Sequence, residues 1–164
     1  MTECGHPRTT RVTRIVSGAQ TGVDRAALDF AISHGIDHGG FVPRGRKAED
    51  GTLPPAYNVT ETETSAYAER TRGNVLESDG TLVICEGKVS GGTALTIAFA
   101  RRTGRPVLIA DVAEAATGDA AKAICVWIGR NRISVLNVAG PRELQRPGIY
   151  GKSLHLLEAV FGHH

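Results

Sequence analysis

Two glycine-rich turns carry the side chains best suited to bind a ligand. The first runs from Gly18 to Gly22 and the second from Ser90 to Thr93, and an apolar-striped helix is predicted directly after each turn. Glycine lets the backbone adopt positive φ angles and lets a ligand approach closely. The N-terminus of the following helix adds free N–H groups and a positive dipole end. The pattern therefore predicts a site for a phosphate or another oxyanion.

Both turns also have a purely structural explanation. Thr21-x-x-Asp24 fits a capping box, which would satisfy the helix N–H groups internally, and Ser90 can serve as an N-cap. The position of the turns favours a ligand nonetheless. Both follow predicted strands, and open α/β sheets bind ligands outside the carboxyl ends of their strands.

Charged donors should converge on such a site. A helix terminus contributes roughly 0.3–1 kcal/mol, whereas micromolar binding requires about 8 kcal/mol. Arg44, Arg46 and Lys47 follow the predicted second strand, and a charge-assisted hydrogen bond contributes about 1.5–3 kcal/mol. The alternative is a solvated basic loop balanced by Glu49 and Asp50. The predicted ligand-binding residues are Gly18, Ala19, Gln20, Thr21, Gly22, Arg44, Lys47, Ser90, Gly91, Gly92 and Thr93.

The segment Val138–Gly151, after the last predicted strand, combines glycine, proline and arginine. Arg142 or Arg146 could face into the crevice, or the segment could simply turn the chain. Other known motifs are absent from the sequence. Gly18 and Gly22 lack the G-x-G-x-x-G spacing, and no G-x-S-x-G elbow occurs. The histidines show no metal-ligating spacing, so no metal is predicted.

Composition indicates a reduced, globular protein. The 164 residues carry a formal net charge of +2, which does not favour nucleic acid as a partner. No apolar run approaches the roughly 20 residues of a membrane span, and no export signal appears. The three cysteines form no C-x-x-C pair. We therefore expect a cytoplasmic protein without membrane contact, with a flexible segment over 1–11 and one domain over 12–162.

Predicted strands alternate with predicted helices along the chain. This alternation indicates a single doubly wound Rossmann-like α/β domain, with a mostly parallel sheet flanked by helices on both faces. In the strand order 3-2-1-4-5-6, strands one and four are neighbours, and these are the strands followed by the glycine turns. The predicted strands are Val12–Ser17, Gly40–Val42, Val59–Glu61, Gly80–Cys85, Pro106–Ala110 and Ile133–Ala139. The predicted helices are Asp24–Ser33, Ser65–Glu77, Thr93–Arg102, Thr117–Arg130 and Ile149–Phe161, and Pro43–Asn58 is predicted to be a long loop.

The sequence from about Ile15 to Tyr150 resembles the molybdenum carrier family, whose members are similar to the molybdenum cofactor carrier protein and, more distantly, to the lysine-decarboxylase-like LOG proteins. The segments that carry the resemblance are "SGAQTGVDRAALDFA", "GFVPRGRKAEDG", "TETSAYAERTRGNVLESDGTLVI", "SGGTALT" and "NVAGPRE…PGIY". The resemblance implies a Rossmann-like carrier of a small anionic ligand, either the phosphate of the molybdenum cofactor or molybdate. It also implies a homo-oligomer, a dimer or tetramer.

The resemblance leaves an enzymatic alternative open. A nucleotide-processing enzyme, such as a LOG-like N-glycoside hydrolase, would use Asp24 or Glu86 as its general base. The segment after Ser90 lacks the glutamate of the LOG pattern, which argues against nucleoside-monophosphate hydrolysis. In a carrier, Asp24 would cap the first helix or accept a hydrogen bond from a ribose or pterin group.

Tyr67, Arg70 and Asn74 also belong to the family pattern, and their spacing places them on one helix face. They would contact the ligand, brace the loop after the second strand, or form a subunit contact. For Asn74 the last two roles are favoured.

Overall fold

The computed structural model of the protein describes residues 11–162. The predicted flexible segment 1–11 therefore lies, apart from residue 11, outside the described residues, and Cys4 lies there too. The elements are β1 Arg14–Val16, α1 Val23–Ser33, β2 Asp37–Gly39, β3 Phe41–Val42, β4 Lys47–Ala48, β5 Gly51–Thr52, β6 Thr60–Glu61, α2 Tyr67–Glu77, β7 Gly80–Cys85, α3 Gly91–Arg102, β8 Val107–Asp111, α4 Thr117–Arg130, β9 Val135–Ala139 and α5 Ile149–Phe161.

Five parallel strands form the central sheet in the order β2-β1-β9-β7-β8. All six residues of β7 are buried, as expected for a strand covered on both faces. Helices α1, α4 and α5 pack together, and α2 packs against α3. The predicted Rossmann-like α/β fold is confirmed.

The predicted strand order is wrong, and the predicted third strand, Val59–Glu61, contributes β6 to a separate small sheet. Strand β1 does not adjoin β7, because β9, the last strand of the chain, is inserted between them. When β9 is counted as the first strand, the order reads 3-2-1-4-5. The sheet thus keeps the doubly wound arrangement, and its winding reverses between β9 and β7.

The second strand of the sheet is Asp37–Gly39, not the predicted Gly40–Val42. Gly40 separates it from β3, which pairs with β6 in a small parallel ribbon outside the main sheet. The φ angle of Gly40 is +128°, and a Cβ atom there would lie 2.1 Å from the Ser17 carbonyl oxygen. Only glycine lets the chain pass this close to the end of β1.

The main core lies between the sheet and the layer of α1, α4 and α5. Phe30, Ile84, Ile124, Leu136 and Phe161 are among its fully buried members. In the part of the chain that the structure describes, no helix has the length and apolar character needed to cross a membrane.

The segment predicted as a long loop contains the β4–β5 hairpin. Leu53 from this segment packs with Ala19, Leu28 and Val42 in a second, smaller apolar cluster. The side chain of Arg46 donates hydrogen bonds to two carbonyl oxygens of the same segment. The hairpin is thereby held against the start of α1, next to the first glycine turn.

Candidate functional site

A cavity of about 270 Å³ opens at the carboxyl ends of β1 and β9, between α2 and α3. We call it the crevice. Its lining residues come from the first glycine turn and the start of α1, from α2, from the start of α3, and from the end of β9 with the segment after it. They are Gln20, Asp24, Tyr67, Arg70, Thr71, Gly91, Gly92, Thr93, Leu95, Thr96, Ala139, Gly140, Arg142 and Gln145.

The N-terminus of α3 faces the crevice without a side-chain cap. Ser90 precedes the helix, but within residues 11–162 no side chain makes a capping hydrogen bond to the N–H groups of its first turn. The Ser90 hydroxyl instead accepts a hydrogen bond of 3.4 Å from the Gln145 amide. A Cβ atom on Gly92 would meet no atom within 4 Å. The N–H groups and the dipole of α3 therefore face open space that an anion can enter.

Three buried side chains bring unused donors to the crevice. Oε1 of Gln20 accepts hydrogen bonds from the backbone N–H groups of Thr21, at 3.1 Å, and Glu49, at 2.7 Å. These bonds orient the amide, and its Nε2 group has no partner in the described chain. The same holds for the hydroxyls of Thr71 and Thr93, each residue being 7% exposed. These donor atoms are not sealed from solvent, so they can hydrogen-bond to water or to a polar ligand in the cavity that their residues line.

Asp24 is the carboxylate of the crevice. Its side chain is 5% exposed, and its Oδ2 lies 3.4 Å from Nη1 of Arg70. The same oxygen accepts a hydrogen bond of 3.3 Å from the backbone N–H of Gln20. Burial raises the pKa of Asp24 from 3.8 to about 6, although Arg70 and the N–H groups of Gln20 and Gly140 lower it. Desolvation thus outweighs the favourable contacts of the ionised form.

Arg70 reaches Asp24 because residue 18 is glycine. A Cβ atom on Gly18 would lie 1.6 Å from Nη1 of Arg70. The guanidinium also lies over the Tyr67 ring, 5.4 Å from its centroid. Its Nε is buried and has no hydrogen-bond partner among the described residues. The Nε–H group of Arg70 is therefore an unsatisfied buried donor next to the crevice.

Arg142 brings a second guanidinium to the crevice from the segment after β9. Its Nε lies 3.8 Å from Oε1 of Glu49. The other oxygen of Glu49 accepts hydrogen bonds from the Thr21 hydroxyl and, at 3.2 Å, from the backbone N–H of Leu144. Glu49 thus links the β4–β5 hairpin, the first glycine turn and the Arg142 segment.

The predicted capping box does not form. Gly22 is the N-cap residue of α1, and no side chain of residues 11–162 caps that helix. The Thr21 hydroxyl donates to Glu49 and accepts from the backbone N–H of Glu143 at 3.2 Å, while Asp24 binds the N–H of Gln20 from inside the turn. The first turn is therefore stabilised by contacts with distant segments.

A second cavity of about 230 Å³ lies on the other side of the α3 N-terminus, and Thr93 and Gln145 line both cavities. Glu86, proposed above as an alternative general base, lines this second cavity and pairs with Lys152. The thiol of Cys85 also lines it, and burial raises the pKa of that thiol to about 11.

The structure brings Gln20, Gly91, Gly92 and Thr93 of the predicted ligand-binding residues to the crevice, together with Asp24. The others lie elsewhere. Gly18 lies beneath Arg70, Ala19 is buried against the hairpin, and Thr21 and Gly22 line a separate cavity with Arg25 and Asp29. Ser90 lines the second cavity, and Arg44 and Lys47 are exposed and do not line the crevice.

Thr71, Thr96 and Gln145 line the crevice but were not among the predicted ligand-binding residues. Thr71 follows Arg70 in α2, the helix that carries the family-pattern residues. This neighbourhood was the one sequence signal that could have identified Thr71. Arg146, considered together with Arg142, lines the second cavity. Asn74 braces the chain after β2, because its side chain exchanges two hydrogen bonds with the backbone of Phe41.

The chain is similar to a known protein family and to a solved structure. Residues 15–161 match the model of the circularly permutated YpsA SLOG family. The 1.45 Å crystal structure of "Putative molybdenum carrier protein" from Syntrophus aciditrophicus SB is 49% identical, with a TM-score of 0.91 over 93% of this chain and 96% of that chain. No curated protein matches this chain. Circular permutation agrees with the sheet, in which the last strand occupies the place of a first strand.

Proposed function

Since this chain belongs to the circularly permutated YpsA SLOG family and to the molybdenum carrier family, we propose that it is a binding protein for a small phosphate-bearing or oxyanion ligand. The ligand lies in the crevice, with its anionic group at the N-terminus of α3. Gln20, Thr71 and Thr93 donate to it, and Arg70 and Arg142 supply positive charge.

One observation carries this proposal: three buried side chains with unused donors meet an uncapped helix N-terminus in a single cavity. These donors are not sealed from solvent, so a ligand can replace the water that hydrates them. A phosphate or tetrahedral oxyanion, with several acceptor oxygens, satisfies these groups together.

The relative from Syntrophus aciditrophicus is called a molybdenum carrier, and this name points to two ligands for the present chain. One is molybdate, and the other is the phosphate-bearing molybdenum cofactor. The donors at α3 fit the anionic group of either. The half-exposed Tyr67 and Leu95 at the rim of the crevice fit the organic part of the second.

Binding is tested by thermal unfolding of the purified protein with molybdate, phosphate, nucleoside monophosphates and the molybdenum cofactor. A ligand at 100 times its Kd should add about 2.7 kcal/mol to the free energy of unfolding. The matched variants are Gly92→Val and Gly118→Val. Each changes the second residue of a helix, α3 or α4, and at neither position would a Cβ atom meet a neighbour within 4 Å.

Gly92→Val should abolish the ligand-induced shift because its side chain enters the crevice, whereas Gly118→Val should keep it. Absence of a shift with every ligand in the wild-type protein contradicts the proposal. An equal shift in the two variants would place the ligand away from α3.

The buried Asp24 favours a second candidate function, that of a nucleotide-processing enzyme. A carboxyl group whose pKa is about 6 suits a general base near neutral pH. Glu86 is less suited, since it pairs with Lys152. Incubation with nucleoside monophosphates should then release base and ribose phosphate. Asp24→Asn should stop turnover while nucleotide binding persists, and a lack of turnover in the wild-type protein rules this function out.

We also propose that the protein forms a homo-oligomer. The family resemblance supports a homo-oligomer, and the exposed Leu76 and Ile109, with Leu95, supply apolar surface for such contacts. Sedimentation analysis of the purified protein tests this. A cytoplasmic location and the absence of nucleic-acid and membrane partners stay predictions from the composition.

A further inference from the structure

The crevice combines many donors with a single carboxylate. Among the residues that line it, only Asp24 has an acidic side chain. Arg70, Arg142 and the start of α3 attract any anion, whereas an ionised carboxylate repels one that has no proton to share. A site that bound anions through positive charge alone would not need Asp24. The presence of Asp24 therefore limits which anions can bind.

Asp24 retains the capacity to accept a hydrogen bond from a ligand. An ionised carboxylate offers about four acceptor positions. The protein groups that contact it are the N–H of Gln20, the guanidinium of Arg70 and the N–H of Gly140. The first two contacts are long, at 3.3 and 3.4 Å. A donor on the ligand can therefore join this set.

We propose that Asp24 determines specificity, admitting anions that carry a hydrogen-bond donor beside the charged group and rejecting fully deprotonated oxyanions such as sulfate and molybdate. This inference rests on the proposed function and narrows its ligand. The ligand class is then a protonated oxyanion or a phosphate ester whose hydroxyl or ring N–H group reaches Asp24. Near neutral pH, inorganic phosphate carries such a proton, whereas sulfate and molybdate do not.

The charged groups around Asp24 support this role. Arg70 faces it from α2, Arg25 acts on it from its own helix, and Arg142 lines the same crevice from the segment after β9. The other nearby carboxylate, Glu49, forms an ion pair with Arg142 and accepts hydrogen bonds from the Thr21 hydroxyl and the Leu144 N–H. A hydrogen bond to a charged group contributes about 1.5–3 kcal/mol, which corresponds to roughly 10- to 150-fold in affinity.

The test compares the Kd values of phosphate, sulfate and molybdate by calorimetry at about pH 7.5. Wild-type protein should bind phosphate at least tenfold more tightly than either of the others. Asp24→Asn should reduce the ratio to near unity, because the asparagine amide can donate to a deprotonated oxygen. Asp119→Asn removes an exposed carboxylate from α4 and should leave the ratio unchanged.

A pH series on the wild-type protein gives a second readout that needs no variant. Burial places the pKa of Asp24 at about 6, so acidification turns the acceptor into an O–H donor. Sulfate affinity should therefore rise about tenfold or more between about pH 8 and about pH 5. The Asp24→Asn variant should lack most of this pH dependence of sulfate affinity.

The outcomes separate this inference from the proposed function. Equal wild-type affinities for the three anions, or an unchanged ratio in Asp24→Asn, overturn the role of Asp24 while anion binding stands. Absence of binding by all three anions and by phosphate esters overturns the proposed function itself. Strong molybdate binding at neutral pH that Gly92→Val abolishes would confirm the site and refute the specificity.

Discussion

The two glycine turns look alike in sequence but have different structural environments. In the first turn, a Cβ atom on Gly18 would strike Arg70, and one on Gly22 would lie 2.4 Å from the Pro141 carbonyl oxygen. In the second turn, a Cβ atom on Gly91 or Gly92 would meet nothing within 4 Å. The first turn therefore needs glycine for packing, whereas the second leaves space in front of a helix end. In this molecule the empty space lies beside the glycines of the second turn and not beside those of the first.

The largest effect that this comparison predicts is the loss of stability in Gly22→Ala. Gly22 has φ of +79° and ψ of −128°, a backbone conformation that residues with a Cβ atom avoid. Backbone strain of about 1–3 kcal/mol and overpacking of about 1–3 kcal/mol add to about 4 kcal/mol. Urea unfolding of Gly22→Ala and Gly92→Ala measures the contrast. A loss below about 1 kcal/mol in Gly22→Ala would show that the two turns are equivalent.

The second effect concerns the carboxylate packed within the first turn. Because the pKa of Asp24 is raised from 3.8 to about 6 on folding, the folded state binds the proton more tightly than the unfolded state. The free energy of unfolding should therefore fall as pH rises from about 4 to about 6, by up to about 3 kcal/mol in total. In Asp24→Asn this pH dependence should vanish.

Urea unfolding of both proteins at several pH values measures this effect. The quantity to compare is the difference in unfolding free energy between wild type and Asp24→Asn, since other groups titrate equally in both. If that difference stays constant between about pH 4 and about pH 6, Asp24 is hydrated in the native state. The first turn would then be as open to solvent as the second.

Local sequence patterns predicted the elements well and their neighbours less well. The bounds of α4 and α5 agree with those predicted, since apolar spacing at 3.6 residues is a local property. The insertion of β9 between β1 and β7 was not predicted. Pairing of distant strands depends on the whole chain, and no pattern within β9 specifies its partners.

The candidate site was also predicted only in part from local sequence patterns. Gln20 lines the crevice, as its position after a strand suggests, and so do Gly91, Gly92 and Thr93 of the second turn, whereas Ser90 lines the second cavity. The charges at the crevice come from Arg70 and Arg142, whereas Arg44 and Lys47 are exposed outside it. Proximity to the predicted second strand did not indicate which way these side chains point. The contact of Arg70 with Gly18 depends on how α2 packs, which the residue types alone do not reveal.

The smallest effect lies in the second turn, where Gly92→Ala should stabilise the protein. Alanine is favoured over glycine within helices by up to about 1 kcal/mol, and a position in the first turn should yield about half of that. Gly118→Ala, at the same position of α4, should give the same gain in urea unfolding. Anion binding should weaken in Gly92→Ala alone, because its methyl group points into the crevice. A loss of stability in Gly92→Ala would mean that this glycine, like Gly22, is required by packing, and the contrast between the two turns would disappear.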